Sequence, residues 1–218
     1  MRIGIFGGTG PAGSALGARL ASVGYEVVIG SRSKYRAMEA RDSLVEQWSS
    51  LDLQIQAGDN RDAAACDLVV IATPWDSAAT TAQEHETALA GKVVVCMANA
   101  LIRVGHEFQP LVPPRGSVAA HVAAAVPGCR VVAAFHHLPA KELGQLGHPI
   151  DSDVLICSDD PTATKVVSGI VDKIPGCRPL DAGELSNAMA IEAFTAVLLQ
   201  LNVKYKTRVA PKLTGIRH

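Results

Sequence analysis

Met1-Arg2-Ile3-Gly4-Ile5-Phe6 and then Gly7-Gly8-Thr9-Gly10-Pro11-Ala12-Gly13 open the chain, and a helical pattern runs from Pro11 to about Val23. The apolar run reads as a buried strand, and the glycines as a tight turn into a helix. A G-x-G-x-x-G spacing is weak alone. It becomes informative between a strand and a helix. In that setting Gly8 permits the turn, Gly10 lets backbone approach a pyrophosphate, and Gly13 lets helix pack on strand. The helix start then offers free N–H groups and a positive dipole end to phosphates. A glycine-rich turn with no ligand is the bland alternative.

The second strand, Tyr25-Glu26-Val27-Val28-Ile29-Gly30, ends in Ser31-Arg32, with Lys34 and Arg36 just beyond. An NAD site places Asp or Glu about 20 residues past the turn to hold the ribose 2′-hydroxyl. A carboxylate there would repel a 2′-phosphate, whereas guanidinium binds one with paired, charge-assisted hydrogen bonds. The residues therefore select NADP(H). Lys34 reads better as decoration of an exposed helix start.

Outward from this point, β-branched runs alternate with helical stretches. Strands are expected at 53–57, 67–72, 92–96, 130–135 and 154–157, with helices at 60–65, 77–89, 117–125, 160–173 and 185–206. Such alternation predicts an α/β fold, a Rossmann-type doubly wound, mostly parallel sheet with right-handed crossovers. The stretch 98–116, with Pro110, Pro113 and Pro114, is long for a connection and reads as a functional loop. The expected division is an NADP-binding Rossmann domain over 1–140 and a smaller C-terminal α/β lobe over 141–218.

The 218 residues are 48% hydrophobic and 19% charged, with a net charge of −1, which carries no electrostatic footprint for nucleic acid. The first strand begins at once, leaving no room for a signal peptide, and no apolar run is long enough for a bilayer. Five scattered cysteines (66, 96, 129, 157 and 177) without a CxxC pair point to reduced thiols in a cytoplasm.

Thr73-Pro74-Trp75 follows the fourth strand, where ligands of a doubly wound sheet sit. It belongs beside the nicotinamide half, or is a helix-opening proline with a packing Trp. His136-His137-Leu138 follows the sixth strand at the same edge. In an extended stretch only one of the two histidines can face a given substrate. That residue, His136, would donate a hydrogen bond or move a proton; a structural or surface histidine is the alternative. No metal-ligand spacing accompanies them, and His85, His106, His121 and His148 read as solvent-facing. Tyr25, Tyr35 and Tyr205 lack a Lys four residues on. The missing acid–base set suits hydride exchange between two bound cofactors, where apposing two flat rings in a dry pocket matters most.

These residues resemble the NADPH-dependent reductases of coenzyme F420, the 8-hydroxy-5-deazaflavin cofactor, nearly end to end. The resemblance is carried by Gly7 to Gly13, Gly30-Ser31-Arg32, Pro74-Trp75, Ala134-Phe135-His136, Arg178 to Gly183 and Leu198 to Arg208. It implies reversible hydride transfer between NADPH and F420 in a usually dimeric enzyme. It implies Thr9, Ser31, Arg32 and Arg36 on NADP, and His136 and Leu138 on the deazaflavin side. The family often has Asn-Pro where this chain has Asn99-Ala100. The alternatives are an NADP-dependent reductase of a small imine, carbonyl or ferric chelate, and a non-catalytic NADPH sensor. After Glu192 the charges are all basic: Lys204, Lys206, Arg208, Lys212 and Arg217. Such a segment would draw a polyanionic ligand tail, such as phosphate plus glutamates, or is a solvated basic end.

Overall fold

Gly4 and the apolar residues around it begin a sheet whose two faces can be followed strand by strand. The computed structural model describes residues 1–216, so Arg217, the last of the basic residues, lies outside them. The strands β1 (Arg2–Phe6), β2 (Glu26–Ser31), β3 (Ile55–Asp59), β4 (Leu68–Ile71), β5 (Val93–Cys96) and β8 (Arg130–Ala133) form one sheet. Their order is β3-β2-β1-β4-β5-β8, and every neighbouring pair is parallel. Between them run α1 (Pro11–Ser22), α2 (Lys34–Gln47), α3 (Asn60–Ala64), α4 (Trp75–Gln83), α5 (Glu86–Leu89) and α6 (Val118–Ala125). This is the doubly wound architecture expected from the sequence.

Side chains alternate across the sheet with period two. Ile3, Ile5, Val27, Ile29, Leu68, Val70, Val93 and Val95 enter one layer with Leu16 and Leu20 of α1. Phe6, Val28, Val69, Ile71, Val94 and Cys96 enter the other with Ala63, Ala78, Val118 and Val122. Both faces are covered, which is why these strands are near-continuous apolar runs. Each fully buried Val, Leu or Ile contributes roughly 1.5–3 kcal/mol, so the two layers dominate the stability of the sheet.

Several expectations shift. The third strand begins at Ile55, two residues later than expected, because pairing with β2 sets its register (Val27 opposite Ile55, Ser31 opposite Asp59). The helix expected over 77–89 starts at Trp75 and divides into α4 and α5. Within 98–116 lies a hairpin of β6 (Leu101–Val104) and β7 (Glu107–Pro110), turning at Gly105 and His106. It packs against the last helix, α9 (Ala188–Tyr205), and the Phe108 amide donates to Gln200 Oε1 at 3.3 Å.

After β8 come α7 (Ala140–Leu143), β9 (Ser152–Ile156), α8 (Pro161–Val171) and β10 (Cys177–Asp181). β9 and β10 pair in parallel, a βαβ unit whose second strand was unexpected because Pro179 interrupts its donors. Val154 and Ile156 join the same core layer as Ile3 and Val95. Two reciprocal hydrogen bonds between Ala133 and Cys157, at 2.8 and 3.0 Å, attach the unit to the main sheet.

Two buried charges hold the outer elements. Arg19 of α1 is fully buried, with no carboxylate at ion-pair distance among the described residues. Its guanidinium donates to the carbonyls of Glu142, Leu143, Gln145, Leu146 and His148, at 2.7–3.5 Å. These carbonyls lie at the end of α7 and in the loop beyond it; those of Glu142 and Gln145 also accept from the amides of Gln145 and His148, and the guanidinium supplies the remaining donors. Glu192 of α9 plays the opposite part. Its carboxylate accepts from the amides of Val118 and Ala119 at 2.8 and 3.1 Å, and Ser117 Oγ from that of Ala120 at 3.0 Å. The open amides at the start of α6 are thereby satisfied.

Burial pushes the Glu192 carboxyl from an ordinary 4.5 up to about 7, against the pull of the two amides. Between those values the folded protein binds more protons than the unfolded chain. Stability from this group therefore falls as pH rises from about 4.5 to 7 and is flat above, by about 3 kcal/mol in all. Urea midpoints measured at pH 5 and pH 8 should show that fall in the wild type and a smaller one in Glu192→Gln. Parallel profiles for the two proteins would assign the pH dependence to other groups.

Candidate dinucleotide and second-substrate site

The turn after β1 is built by Gly7 and Gly13 more than by Gly8. Gly7 carries the positive φ of +72°, and the Gly10 amide closes on its carbonyl at 3.0 Å. Gly8, expected to permit the turn, is held instead against β2, its amide donating a hydrogen bond to the Gly30 carbonyl at 3.1 Å. A Cβ on Gly13 would lie 2.6 Å from the Gly7 oxygen, a distance that only glycine avoids. At Gly10 the nearest atom would be 3.4 Å away, so its missing side chain leaves room for a ligand. Pro11 opens α1 at its first position, where its absent N–H costs nothing, and Ala12 follows in the first turn.

A cavity of about 430 Å³ lies at the carboxyl ends of the strands. Thr9, Gly10, Ser31, Arg32, Arg36, Thr73 and Pro74, all singled out from the sequence, line it together. Asn60, Ser77 and Thr81 line it too and were missed. Asn60 begins α3 directly after the β3 cap, and a lone Asn in such a place carries no sequence signal. Trp75 is half-buried and packs on the second core layer; it does not line this cavity.

The cation set divides as its surroundings dictate. Lys34 Nζ lies 3.1 Å from Asp62 and 3.8 Å from Asp59, so its charge is answered within the protein. Arg32 and Arg36 are exposed and have no ion-pair partner among the described residues. Ser31 and Ser33 shape the turn between them. Ser31 Oγ accepts from the Ser33 amide at 3.2 Å, and Ser33 Oγ caps α2 through the Arg36 amide at 3.4 Å. Two guanidiniums are left open at the end of β2, an arrangement suited to a phosphate dianion.

Farther along the same edge stand Asn99 and His136. Asn99 Nδ2 donates to the His136 carbonyl at 2.9 Å, joining the loops after β5 and β8. β8 ends at Ala133, earlier than expected, and Phe135 turns the chain with φ +66°. The two histidines are thus not in an extended stretch, and both are buried. His137 Nε2 lies 2.9 Å from the Asp153 carbonyl oxygen, within the βαβ unit. Among the described residues neither His136 nitrogen makes a well-formed hydrogen bond, although the Met97 and Ala98 backbone lies close enough to oppose the effect of burial. Burial, with His137 beside it, drives the His136 pKa down to about 3, so the ring is neutral at ordinary pH. It can accept or donate a hydrogen bond there, but it cannot serve as a standing cationic acid. Leu138 is buried in the first core layer. Of the other histidines, His106, His121 and His148 are exposed, while His85 lies half-buried against the Phe6 ring at 5.1 Å.

Buried polar atoms are nearly always hydrogen-bonded, so those left alone mark places where something else supplies the bond. Among the described residues Asn60 Oδ1, Thr73 Oγ1, Asn99 Oδ1 and both His136 nitrogens are unpaired, as are Trp48 Nε1 and His137 Nδ1. Asn60, Thr73, Asn99 and His136 follow β3, β4, β5 and β8 respectively, forming a row along the edge where doubly wound sheets hold ligands.

The basic C-terminal stretch is more occupied than its charges suggested. Arg208 pairs with Glu142 at 2.7 Å and Lys212 with Asp151 at 2.6 Å. Arg178, itself one of the family-like residues, grips the Asp153 carboxylate at 2.8 and 2.6 Å, holding it below the usual carboxylate range. The Leu213 amide adds a third bond to Asp153 at 2.6 Å, which straps the chain end onto β9.

Among the described residues no group of three His, Cys, Asp or Glu side chains could hold a metal ion, and no helix is long and apolar enough to cross a membrane.

Sheet order, glycine turn and open arginine pair together define a Rossmann-type dinucleotide-binding protein. Residues 2–100 match the family described as NADP oxidoreductase, coenzyme F420-dependent. The chain is 37% identical to the F420-dependent NADP reductase of Methanocaldococcus jannaschii, over 100% of this chain and 97% of that one. The reductase of the same name from Methanothermobacter marburgensis is 33% identical, with the same coverage. A solved structure described as a putative F420-dependent NADP-reductase from Arthrobacter sp. FB24 superposes with a TM-score of 0.79. It is 26% identical and covers 95% of this chain and 96% of its own. The chain belongs to the F420-dependent NADP reductase family.

Proposed function

We propose that this protein transfers hydride reversibly between NADPH and the deazaflavin coenzyme F420. The observation that carries the reading is the row of unpaired buried polar atoms beside two open arginines, at the ligand edge of a dinucleotide-binding sheet. The names of the relatives that span the whole chain support it.

NADPH supplies the hydride, and the residues around it bind and orient. Arg32 and Arg36 answer the 2′-phosphate. Thr9, Gly10 and the first turn of α1, with Pro11, Ala12 and Gly13, receive the pyrophosphate. Thr73 and Pro74 stand beside the nicotinamide, with Trp75 backing that loop. Asn99, His136 and Leu138 form the deazaflavin side, where the neutral His136 ring hydrogen-bonds its ligand. Apposing two planar rings away from water is the main demand of such a transfer, and the site needs no strong acid or base for it.

A division into an NADP-binding part, 1–140, and a smaller part, 141–218, belongs to the same reading. So does a homodimer. Exposed Met189, Phe194 and Val197 on α9, with Ile102 and Val104 on the adjoining hairpin, support that assembly. Five free cysteines support a reducing, cytoplasmic setting.

The test is direct. The protein, NADPH and oxidised F420 are mixed, and the visible absorbance of the oxidised deazaflavin is followed. Bleaching at a catalytic rate is expected. Tight NADPH binding without bleaching would instead make the protein a sensor, and turnover confined to small carbonyls or ferric chelates would make it a different reductase.

A further inference from the structure

A second cleft, of about 810 Å³, shares no lining residue with the dinucleotide cavity. One wall begins at Pro139, directly after Leu138, and includes Lys141 and Glu142. The other is the end of α9 and the turn beyond it, with Asn202, Lys206 and Arg208. The cleft therefore opens where the chain leaves the His136-Leu138 segment.

Its charges are unequal. Glu142, the one acid, is engaged by Arg208 at 2.7 Å. Lys141 and Lys206 have no carboxylate partner among the described residues. The cleft thus presents two ammonium groups that no carboxylate among the described residues neutralises.

Lys206 also stands where a lysine is unfavourable. It follows α9 with φ +52° and ψ +41°, a left-handed conformation that ends helices and ordinarily falls to glycine. An L-residue there is strained, because its Cβ crowds the following carbonyl oxygen. The turn is nonetheless fixed: the Thr207 amide bonds the Asn202 carbonyl at 3.2 Å, and the Val209 amide bonds Asn202 Oδ1 at 2.6 Å. A strained, clamped residue lining a cleft points to use of its side chain.

We propose that this cleft holds the anionic tail of the deazaflavin substrate, its phosphate and glutamate carboxylates, while the ring lies beside His136. The inference rests on the F420 reading above. It assigns tail recognition to Lys141 and Lys206, with the Arg208–Glu142 pair fixing the far wall. Lys212, held by Asp151, takes no part.

The experiment compares two acceptors, coenzyme F420 with its full tail and the tailless 8-hydroxy-5-deazaflavin, in steady-state assays with saturating NADPH. The variants are Lys141→Gln, Lys206→Gly and the double change; glycine suits the left-handed turn, so Lys206→Gly keeps the fold. The double variant should raise KM for F420 about fivefold to tenfold. Its kcat, its KM for NADPH and its KM for the tailless acceptor should match the wild type. Added salt should narrow the wild-type preference for the tailed acceptor. An unchanged KM for F420, or an equal rise for both acceptors, overturns the tail site. So does a wild type that turns over both acceptors with the same KM, although that result leaves the F420 reading intact. A wild type that turns over neither acceptor overturns the F420 reading itself.

Discussion

Arg32→Ala should raise the Michaelis constant for NADPH by roughly 10- to 100-fold and leave that for NADH little changed. Arg32 directly follows β2, exposed and without an ion-pair partner among the described residues, so the work lost is what it does for a ligand. Hydrogen bonds to charged groups contribute roughly 1.5–3 kcal/mol, and about 1.4 kcal/mol is a factor of ten. Arg36 lines the same cavity, so the double variant should lose more than either single one. Lys34→Ala is the informative control, since Asp62 and Asp59 already neutralise that ammonium. A change of less than threefold is expected there. Initial rates with both dinucleotides decide the matter. Equal losses for NADPH and NADH in Arg32→Ala would remove the arginine from the 2′-phosphate.

The second large effect concerns folding. Arg19→Met should lower stability by about 4 kcal/mol, because the carbonyls that Arg19 satisfies would be left in a buried place with too few donors. Each unsatisfied buried group costs roughly 1–3 kcal/mol, and relaxation of the loop recovers part of the total. For a chain of this size the loss corresponds to a fall in Tm of about 8–16 °C. Arg19→Lys should fall between the two, since one ammonium has three donors where the guanidinium has five. A Tm within 2 °C of the wild type for Arg19→Met would show that the 142–148 loop does not depend on this side chain.

The sheet was legible because its strands are buried on both faces. Val69, Val70 and Ile71 can hardly be anything else, and Gly13 has one reading once a strand precedes it. The residues that line the cavity together were legible for a related reason: the turn, the end of β2 and the end of β4 are local features at fixed distances along the chain. What escaped was long-range. Arg19 sits on a helix face where a charge looks like solvent decoration, and its partners lie more than 120 residues away. Nothing local to Glu192 announces that it caps α6 from 73 and 74 residues away. β10 was hidden by Pro179, whose missing donor an edge strand tolerates. The early end of β8 was equally hidden, since nothing in Ala134-Phe135 announces a left-handed turn at a phenylalanine.

The unpaired polar row has an evolutionary corollary. Thr73, Asn99 and His136 each bury a polar atom that no described residue pairs, an arrangement that costs stability relative to apolar replacements of similar shape. A population selected only for heat tolerance, with no demand for turnover, should discard these residues early. Thermostable lineages that still need the reaction would have to recover the margin elsewhere, in the core layers or at the chain end strapped to β9.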